Sequence, residues 1–597
     1  MEVAREVDMI VLGFSGIRNG EYYRKKYGLR FVGHDSAVAL VQDGKVLFAA
    51  EEERFSREKH TSCFPVGALQ AALESERLSL NDLHVLAYPW KVTPARFLHM
   101  NWYHGPRVPI ADAPELALTG IRVIRDLMSP KRIASQFELA LGQRLPKCRG
   151  VSHHVGHVAC AYYPSPFERA AVLTVDGQGE DESGTLGEWE GTRYRHFKSV
   201  YSPNSIGILY GMVTDFLGMR AGWDEYKVMG MSAYGDASRF RNVFRRLVTP
   251  ILGGRYRTYR TAMVFKPGYC DQMLSRLLGV PPRKPADSLK PIHFDLAACL
   301  QETTEGIIFH MLKHLRERST ARNLCLAGGV FQNSVINGKI RQSGLFEKVF
   351  VPPVPGDSGG ALGAALHVYH KSTNAPRQDI EFTVFSGPEY SEKRMEAALQ
   401  SADDKICFHR SHDVTSEAAQ LLCENRILSW FQGRMEYGPR ALGHRSILAS
   451  PTRADMKDLV NRRIKHREEY RPFAGSVPLE DASSFFELTG SSPHMQFVVP
   501  VRGTAQDKIP AIVHFGTCRV QTVSKEVDPL YHHLLTEFGN RTGVSVLMNT
   551  SFNDADEPIV CSPEDAVASF LRMELDAMVM GPFVIQWRRP DAARRTQ

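Results

Sequence analysis

The chain has 597 residues with 73 Lys and Arg against 66 Asp and Glu, a net charge of +7, which is too long for one core and only mildly basic. Its 43% hydrophobic content excludes disorder, and so small a charge excess excludes a nucleic-acid coat while suiting anionic small substrates. The 10 cysteines contain no C-x-x-C pair, which argues against a zinc ribbon or a disulfide framework. With no run of about 18 apolar residues and no signal-peptide core, a soluble cytoplasmic protein is expected.

Along the chain, DMIVLGFSG predicts a first strand, followed by a polar, basic excursion from Arg18 to Arg30. FVGHDSAVALVQDGKVLFAAEEERFSREKH then reads as two strands joined at Asp43-Gly44, a strong hairpin signal. His34 and Asp35 stand at the entry of that hairpin, and Glu51, Glu52, Glu53 and Lys59 at its exit. FPVGALQAALESERL has helical period and HVLAYPW reads as a strand. An insert at about 91–148, rich in Arg, Pro, Met and aromatics, carries a predicted helix at PELALTGIRVIRDLM. Inserts of this kind build lids and acceptor pockets as often as plain appendages.

In VSHHVGHVACAYY, His153 and His157 fall one helical turn apart, a spacing that lets two imidazoles grip one metal ion. AAVLTVDGQGEDE then ends an apolar strand in acid and glycine, which places Asp176 at the strand's carboxyl end. The passage repeats the order of the first hairpin, turning near Glu190-Gly191, and predicts an internal duplication with a ligand cleft between the halves. Glycines 207, 211, 230 and 235 and Lys227 border apolar helices, as phosphate-binding helix starts do. Residues 240–290 read as irregular. NLCLAGGVFQNSVINGKI runs from a strand through Gly328-Gly329 into a helix with Asn333 and Asn337, and Asp357 lies in the glycine-rich turn of VFVPPVPGDSGGALGAAL. His153, His157, Asp176 and Asp357 form a set of two nitrogens and two oxygens suited to iron, manganese or zinc.

A polar stretch around HKSTNAPRQDIEF marks a domain boundary at about 372–382, dividing domains at 1–375 and 382–597. Beyond it, GRMEYGPRALGHRSILAS brings Arg434, Arg440 and Arg445 together, and NRRIKHREEYRPFAGSV adds Lys465, Arg467 and Arg471. Guanidinium forks match phosphate and carboxylate oxygens, and Arg519 and Asn549 extend the polar set.

The runs HDSA, EEERFSREKH, SHHVGH, VDGQGE, AGGVFQN, GPRALGHRSI, KHREEYRPFA and NTSFN, in this order, resemble the NodU and cephalosporin-type O-carbamoyltransferases. The first domain is similar to the universal tRNA threonylcarbamoyl transferases. The resemblance implies an α/β protein, with a duplicated actin/sugar-kinase-like (ASKHA) amino-terminal domain and a YrdC-like carboxy-terminal domain. It implies that ATP, as its Mg complex, and carbamoyl phosphate give carbamoyl adenylate in the second domain, at Arg440, Lys465, Arg471, Arg519 and Asn549. The first domain would then pass the carbamoyl group to a hydroxyl of a small natural product. There the resemblance implies a divalent metal, Fe(II), on His153, His157, Asp176 and Asp357. Gly207, Gly328, Gly329 and Asn333 would cradle the adenylate beside Asp176, Lys59 would contact the activated carbamoyl group, and His34 would act on the acceptor hydroxyl. His154 would face away. No membrane or nucleic-acid partner is expected, and a homodimer is the assembly considered. The alternatives are a threonylcarbamoyl-type tRNA-modifying enzyme and a non-enzymatic ATP-binding sensor.

Overall fold

The computed structural model describes residues 9–17, 34–93, 95, 96, 99, 129–259, 269–377, 382–402 and 404–588. Two compact units result, Met1–Ser56 with His60–Phe382, and Arg57–Lys59 with Thr383–Gln597. The helix expected over 114–128 and the basic excursion from Arg18 to Arg30 lie outside the described residues.

The first unit is built from two five-stranded sheets. One holds β1 (Ile10–Ser15), β2 (Ala37–Gln42), β3 (Lys45–Glu51), β4 (Val85–Tyr88) and β5 (Cys148–Gly150), in the order β3-β2-β1-β4-β5. The other holds β6 (Arg169–Val175), β7 (Glu182–Glu190) and β8 (Arg193–Tyr201). After a separate hairpin of β9 (Val248–Ile251) and β10 (Arg255–Thr258), it is completed by β11 (Asn323–Ala327) and β12 (Lys348–Phe350), in the order β12-β11-β6-β7-β8. Each module has one central strand, β1 or β6, antiparallel to a hairpin on one side and parallel to a strand on the other. The topology is the same in both, and this is the duplicated actin/sugar-kinase-like architecture.

Local chemistry accounts for the pattern. Asp43 and Gly44 both take positive φ, 50° and 82°, the requirement of a two-residue hairpin turn whose twist matches its strands. β1 is buried along its whole length, so it reads as an unbroken apolar run and not an alternating one. The 240–290 stretch is more regular than its sequence suggests. It holds a helix at Arg241–Leu247, the β9–β10 hairpin and a helix at Tyr269–Leu278. The two strands span four residues each, too few for either period to register.

The helix Val66–Glu76 follows Pro65, which supplies no side-chain cap. Glu52 does so from the end of β3, its carboxylate accepting from the N–H groups of Gly67 (3.1 Å) and Ala68 (2.8 Å). Burial outweighs those bonds and pushes its carboxyl from the ordinary 4.5 up to about 7. Because the folded chain holds this proton more tightly than the unfolded one, its contribution is greatest below about pH 4.5. It is lost as pH rises through 7, by on the order of 3 kcal/mol. Glu52→Gln, which keeps one acceptor and cannot ionise, should therefore gain stability relative to wild type between pH 5 and 8. Parallel melting-temperature profiles of the two proteins over that range would refute the assignment.

The second unit is one mixed nine-stranded sheet. Its strands are β13 (Ile406–Arg410), β14 (Leu428–Phe431), β15 (Arg445–Ala449), β16 (Ala474–Pro478), β17 (Phe497–Pro500), β18 (Thr517–Val523), β19 (Leu547–Ser551), β20 (Ala577–Met580) and β21 (Phe583–Trp587). They run in the order β13-β21-β20-β14-β15-β19-β16-β18-β17. Trp430, Tyr531, Leu534, Phe538 and Val579 anchor a core on this sheet. Register matters for function here, because Ala474 pairs with Asn549 on one side and Arg519 on the other. Directly opposed residues share a face, which sets Asn549 and Arg519 in one row about 10 Å apart.

Candidate functional site

The metal-ligand candidates come together in the first unit. The helix His153–Tyr162 starts at His153 and presents His153 and His157 on one face. Small residues bring the other partner helix close. Gly156 and Gly363 meet where a Cβ on Gly363 would lie 1.9 Å from the Gly156 carbonyl oxygen, and a Cβ on Gly13 of β1 would lie 2.0 Å from that of Ala361. The run Gly359-Gly360-Ala361-Leu362-Gly363 thus lets the helix Gly359–Thr373 sink between β1 and the histidine helix, with Asp357 just ahead of it. Asp176 follows the last residue of β6.

His153, His157, Asp176 and Asp357 each offer a ligand atom within 4.8 Å of all the others. Asp176 Oδ2 lies 3.0 Å from His153 Nε2 and 2.8 Å from His157 Nε2, and the two Nε2 atoms lie 2.9 Å apart. Asp357 Oδ1 is 3.7 Å from His153 Nε2 and 3.5 Å from His157 Nε2. Asp176 Oδ1 accepts from the N–H groups of Gly177 (2.7 Å) and Gly329 (3.2 Å), which leaves Oδ2 aimed at the histidines. Burial disfavours the Asp176 carboxylate, but the bonds to His153 and His157 outweigh it and hold the group well below its usual range. Burial lowers His157, yet Asp176 and Asp357 raise it to about 9. The two facing Nε2 atoms are buried against each other, an arrangement that one shared cation satisfies and that two ring hydrogens would not. Two imidazole nitrogens and two carboxylate oxygens fit iron, manganese or zinc. His154 turns the other way to Thr174 Oγ1 (2.9 Å), and burial together with His153 lowers it to about 4.

A pocket beside this cluster is lined by Ser15, Gly16, His34, Tyr88, Pro89, Trp90, His153 and Asp357. His34 Nε2 is 3.8 Å from Asp357 Oδ2. Burial lowers His34, but Asp35 and then Asp357 and Asp176 prevail and push it up to about 10. A divalent cation on the four-residue cluster would cancel the field of Asp357 and Asp176.

The remaining first-unit candidates have structural duties. A Cβ on Gly207 would lie 2.8 Å from the Asp176 carbonyl oxygen, and one on Gly328 would lie 2.3 Å from that of Val175. These glycines therefore admit the backbone around Asp176. Asn333 caps the helix Ser334–Gln342 through Ile336 N–H (3.1 Å) and donates to Gln301 Oε1 (2.8 Å). Lys59 groups with the second unit. Glu180 was not singled out by sequence reasoning, although it stands in the acidic run after β6. Its buried carboxylate accepts from His153 N–H (3.1 Å), Lys91 N–H (2.7 Å) and Arg96 (2.7 Å). It satisfies the free amino end of the histidine helix, where a negative charge also favours the helix dipole.

In the second unit the cations divide. Arg445 is fully buried, donates to the carbonyls of Gln432, Gly433 and His444, and lies 3.7 Å over the Phe431 ring. It holds the turn. Arg434 donates to the carbonyls of Ser386 and Gly387, both at 3.0 Å. Lys465 directs its ammonium to the carbonyls of Ser551 (2.9 Å) and Asn553 (2.5 Å) and to Asn553 Oδ1 (3.1 Å). Those three bonds use its three hydrogens, so it braces the NTSFN turn. Asn549 donates to Ser476 Oγ (3.0 Å) and Gln521 Oε1 (3.1 Å). Burial, then Arg467, Arg471 and Lys59, hold Lys465 well below its usual range. Arg519, with its Nε unpaired among the described residues, is lowered to about 10 by burial and by Arg471. Arg440 is half-buried. Cations crowded together in this way attract an anion.

Comparison with known proteins places the chain in a family. The model of the carbamoyltransferase N-terminus matches residues 25–366, and that of the carbamoyltransferase C-terminus matches residues 419–587. Nodulation protein NolNO of Sinorhizobium fredii is 38% identical over 566 residues, 93% of this chain and 79% of the relative. Nodulation protein NolO of Bradyrhizobium diazoefficiens is 40% identical over 444 residues, 73% of this chain and 79% of the relative. Nodulation protein U of Sinorhizobium fredii is 31% identical over 551 residues, 87% of this chain and 92% of the relative. Among the described residues no helix is long and apolar enough to cross a membrane. The chain belongs to the carbamoyltransferase family and is a carbamoyl-transferring enzyme.

Proposed function

We propose that this enzyme is an ATP-dependent O-carbamoyltransferase in which the second unit makes carbamoyl adenylate and the first transfers the carbamoyl group to a hydroxyl of a small natural product. Carbamoyl phosphate loses inorganic phosphate to water, the resulting carbamate attacks the α-phosphorus of ATP, and pyrophosphate leaves. The acceptor oxygen then bonds to the carbamoyl carbon as the bond to AMP breaks. The observation that carries the reading is the buried cluster of His153, His157, Asp176 and Asp357 beside a pocket that His34 also lines.

Arg440, Arg471 and Arg519 would neutralise and align the mutually repelling phosphates of ATP and carbamoyl phosphate, with Asn549 in the same row as Arg519 and Lys465 bracing the turn beneath. Magnesium would accompany the ATP. In the first unit His153, His157, Asp176 and Asp357 would hold Fe(II), which supplies Lewis acidity toward the carbamoyl adenylate. Gly207, Gly328, Gly329 and Asn333 would shape the adenylate's seat. His34 would take the acceptor's proton at Nε2. The enzyme is proposed to work in the cytoplasm, without nucleic acid, and as a homodimer.

The test is mass spectrometry of a candidate metabolite pool incubated with enzyme, ATP and carbamoyl phosphate. A carbamoyl mass gain dependent on both co-substrates, with stoichiometric AMP and pyrophosphate, is expected. Carbamoyl gain without ATP, or absence of any pyrophosphate, would sink the two-step scheme.

A further inference from the structure

Asp35 stands between two imidazoles. Its Oδ2 lies 2.7 Å from His34 Nδ1 and its Oδ1 lies 2.6 Å from His60 Nδ1. A carboxylate only accepts, so each Nδ1 carries the hydrogen. The other side of the His34 ring then presents Nε2 to the pocket, 3.8 Å from Asp357 Oδ2. Asp35 and His60 both have positive φ, 59° and 53°, a conformation that persists in such residues only where the surroundings impose it. His60 is itself fixed, its N–H donating to Glu53 Oε2 (2.7 Å) and its ring packing 5.0 Å from that of Trp223.

The same residues admit a different reading, since Asp35, Glu53 and His60 bring ligand atoms within 4.8 Å of one another, as a second cation site would. Two contacts argue against it. Arg54 Nη1 already lies 2.8 Å from Glu53 Oε1, and a cation on Asp35 would have to displace a ring N–H from one of its oxygens. A guanidinium and two imidazoles leave little negative charge for a metal.

We propose that Asp35, held in turn by His60, is a positioning residue that keeps the His34 hydrogen on Nδ1, so that once a cation on the four-residue cluster offsets Asp357 and Asp176 it is Nε2, on the pocket side, that accepts a proton. The inference rests on the reading of His34 as the group that receives the acceptor's proton. That proton passes to Nε2 as the new carbon–oxygen bond forms, and AMP leaves with the electron pair of the bond that breaks. A carboxylate that orients an imidazole in this way sets which nitrogen can act.

The test uses the full chain loaded with Fe(II), ATP and carbamoyl phosphate, with water as the carbamoyl acceptor. AMP release and the single-turnover burst of pyrophosphate are measured separately. His34→Ala and Asp35→Asn should each slow AMP release by about a hundredfold and leave the burst within about twofold. The double variant should be no slower than His34→Ala, because both changes remove one device. Should Asp35→Asn fail to fold, His60 supplies the second arm. His60→Ala should slow AMP release by about tenfold, and His60→Gln, which retains a donor for Asp35, should restore most of it. Multiplying effects in the double variant, or an Asp35→Asn enzyme of full speed beside a slow His34→Ala enzyme, would overturn the positioning role alone. A His34→Ala enzyme of full speed would overturn the proton role of His34 and the inference with it. Loss of the burst in the wild type would instead fall on the two-step scheme.

Discussion

His157→Ala is expected to abolish carbamoyl transfer while leaving the formation of carbamoyl adenylate in place. His157 Nε2 lies 2.8 Å from Asp176 Oδ2 and 3.5 Å from Asp357 Oδ1, at the centre of the four-residue cluster. Its loss removes one of two nitrogens and leaves two carboxylates facing each other across a cavity. Metal content measured on the purified enzyme should fall from one per chain toward zero. Transfer should drop by at least about a thousandfold, roughly 4 kcal/mol of transition-state stabilisation. The single-turnover pyrophosphate burst should stay within about twofold, since the residues proposed to form the adenylate lie in the other unit. His154→Ala is the control. Its ring bonds to Thr174 Oγ1 (2.9 Å), so its removal should cost about 1–3 kcal/mol of stability and leave metal content unchanged. A metal-loaded, fully active His157→Ala enzyme would refute the assignment of the centre.

The second large effect concerns Arg519. It is half-buried, its Nε lacks a partner among the described residues, and burial and Arg471 both press it to give up its charge. A cation held under that repulsion is unfavourable until an anion arrives. Arg519→Ala should therefore reduce the pyrophosphate burst by about a hundredfold, roughly 3 kcal/mol. It should also leave the melting temperature unchanged or slightly raised, because a like-charge repulsion disappears. The sign of the stability change separates the two explanations. A structural arginine would melt lower on removal, as Arg445 should, whose guanidinium joins three backbone carbonyls and the Phe431 ring. A normal burst in Arg519→Ala would remove this residue from the nucleotide site.

Much of the first unit was legible because its signals are local. The Asp43-Gly44 turn, the His153–His157 spacing, the strand end at Asp176 and the glycine-rich turn at Asp357 each follow from a few consecutive residues. The arginine-rich runs misled for a physical reason. Arg445 and Arg434 have the composition of anion ligands, but whether a guanidinium meets a phosphate or a carbonyl depends on the chain around it, and here Gln432, Gly433, Ser386 and Gly387 take those bonds. Lys465 likewise carries the right charge and spends its hydrogens on Ser551 and Asn553. Glu180 escaped notice because its value lies in reaching the amino end of a helix that precedes it by 27 residues.

The sequence by itself determined which chemical groups the chain has and the periods on which they fall, hence the repeated strand-hairpin order and the helical histidine pair. Tertiary structure decided which of those groups converge. Gly13, Gly156 and Gly363 let two helices and a strand approach to backbone contact, and that approach brings Asp357 within 3.7 Å of His153; the fold likewise sets Asp35 between His34 and His60, 25 residues further on. Periodicity is a property of neighbours along the chain. Coordination and proton transfer depend on distances of a few ångströms between residues far apart in it, and those are set by packing.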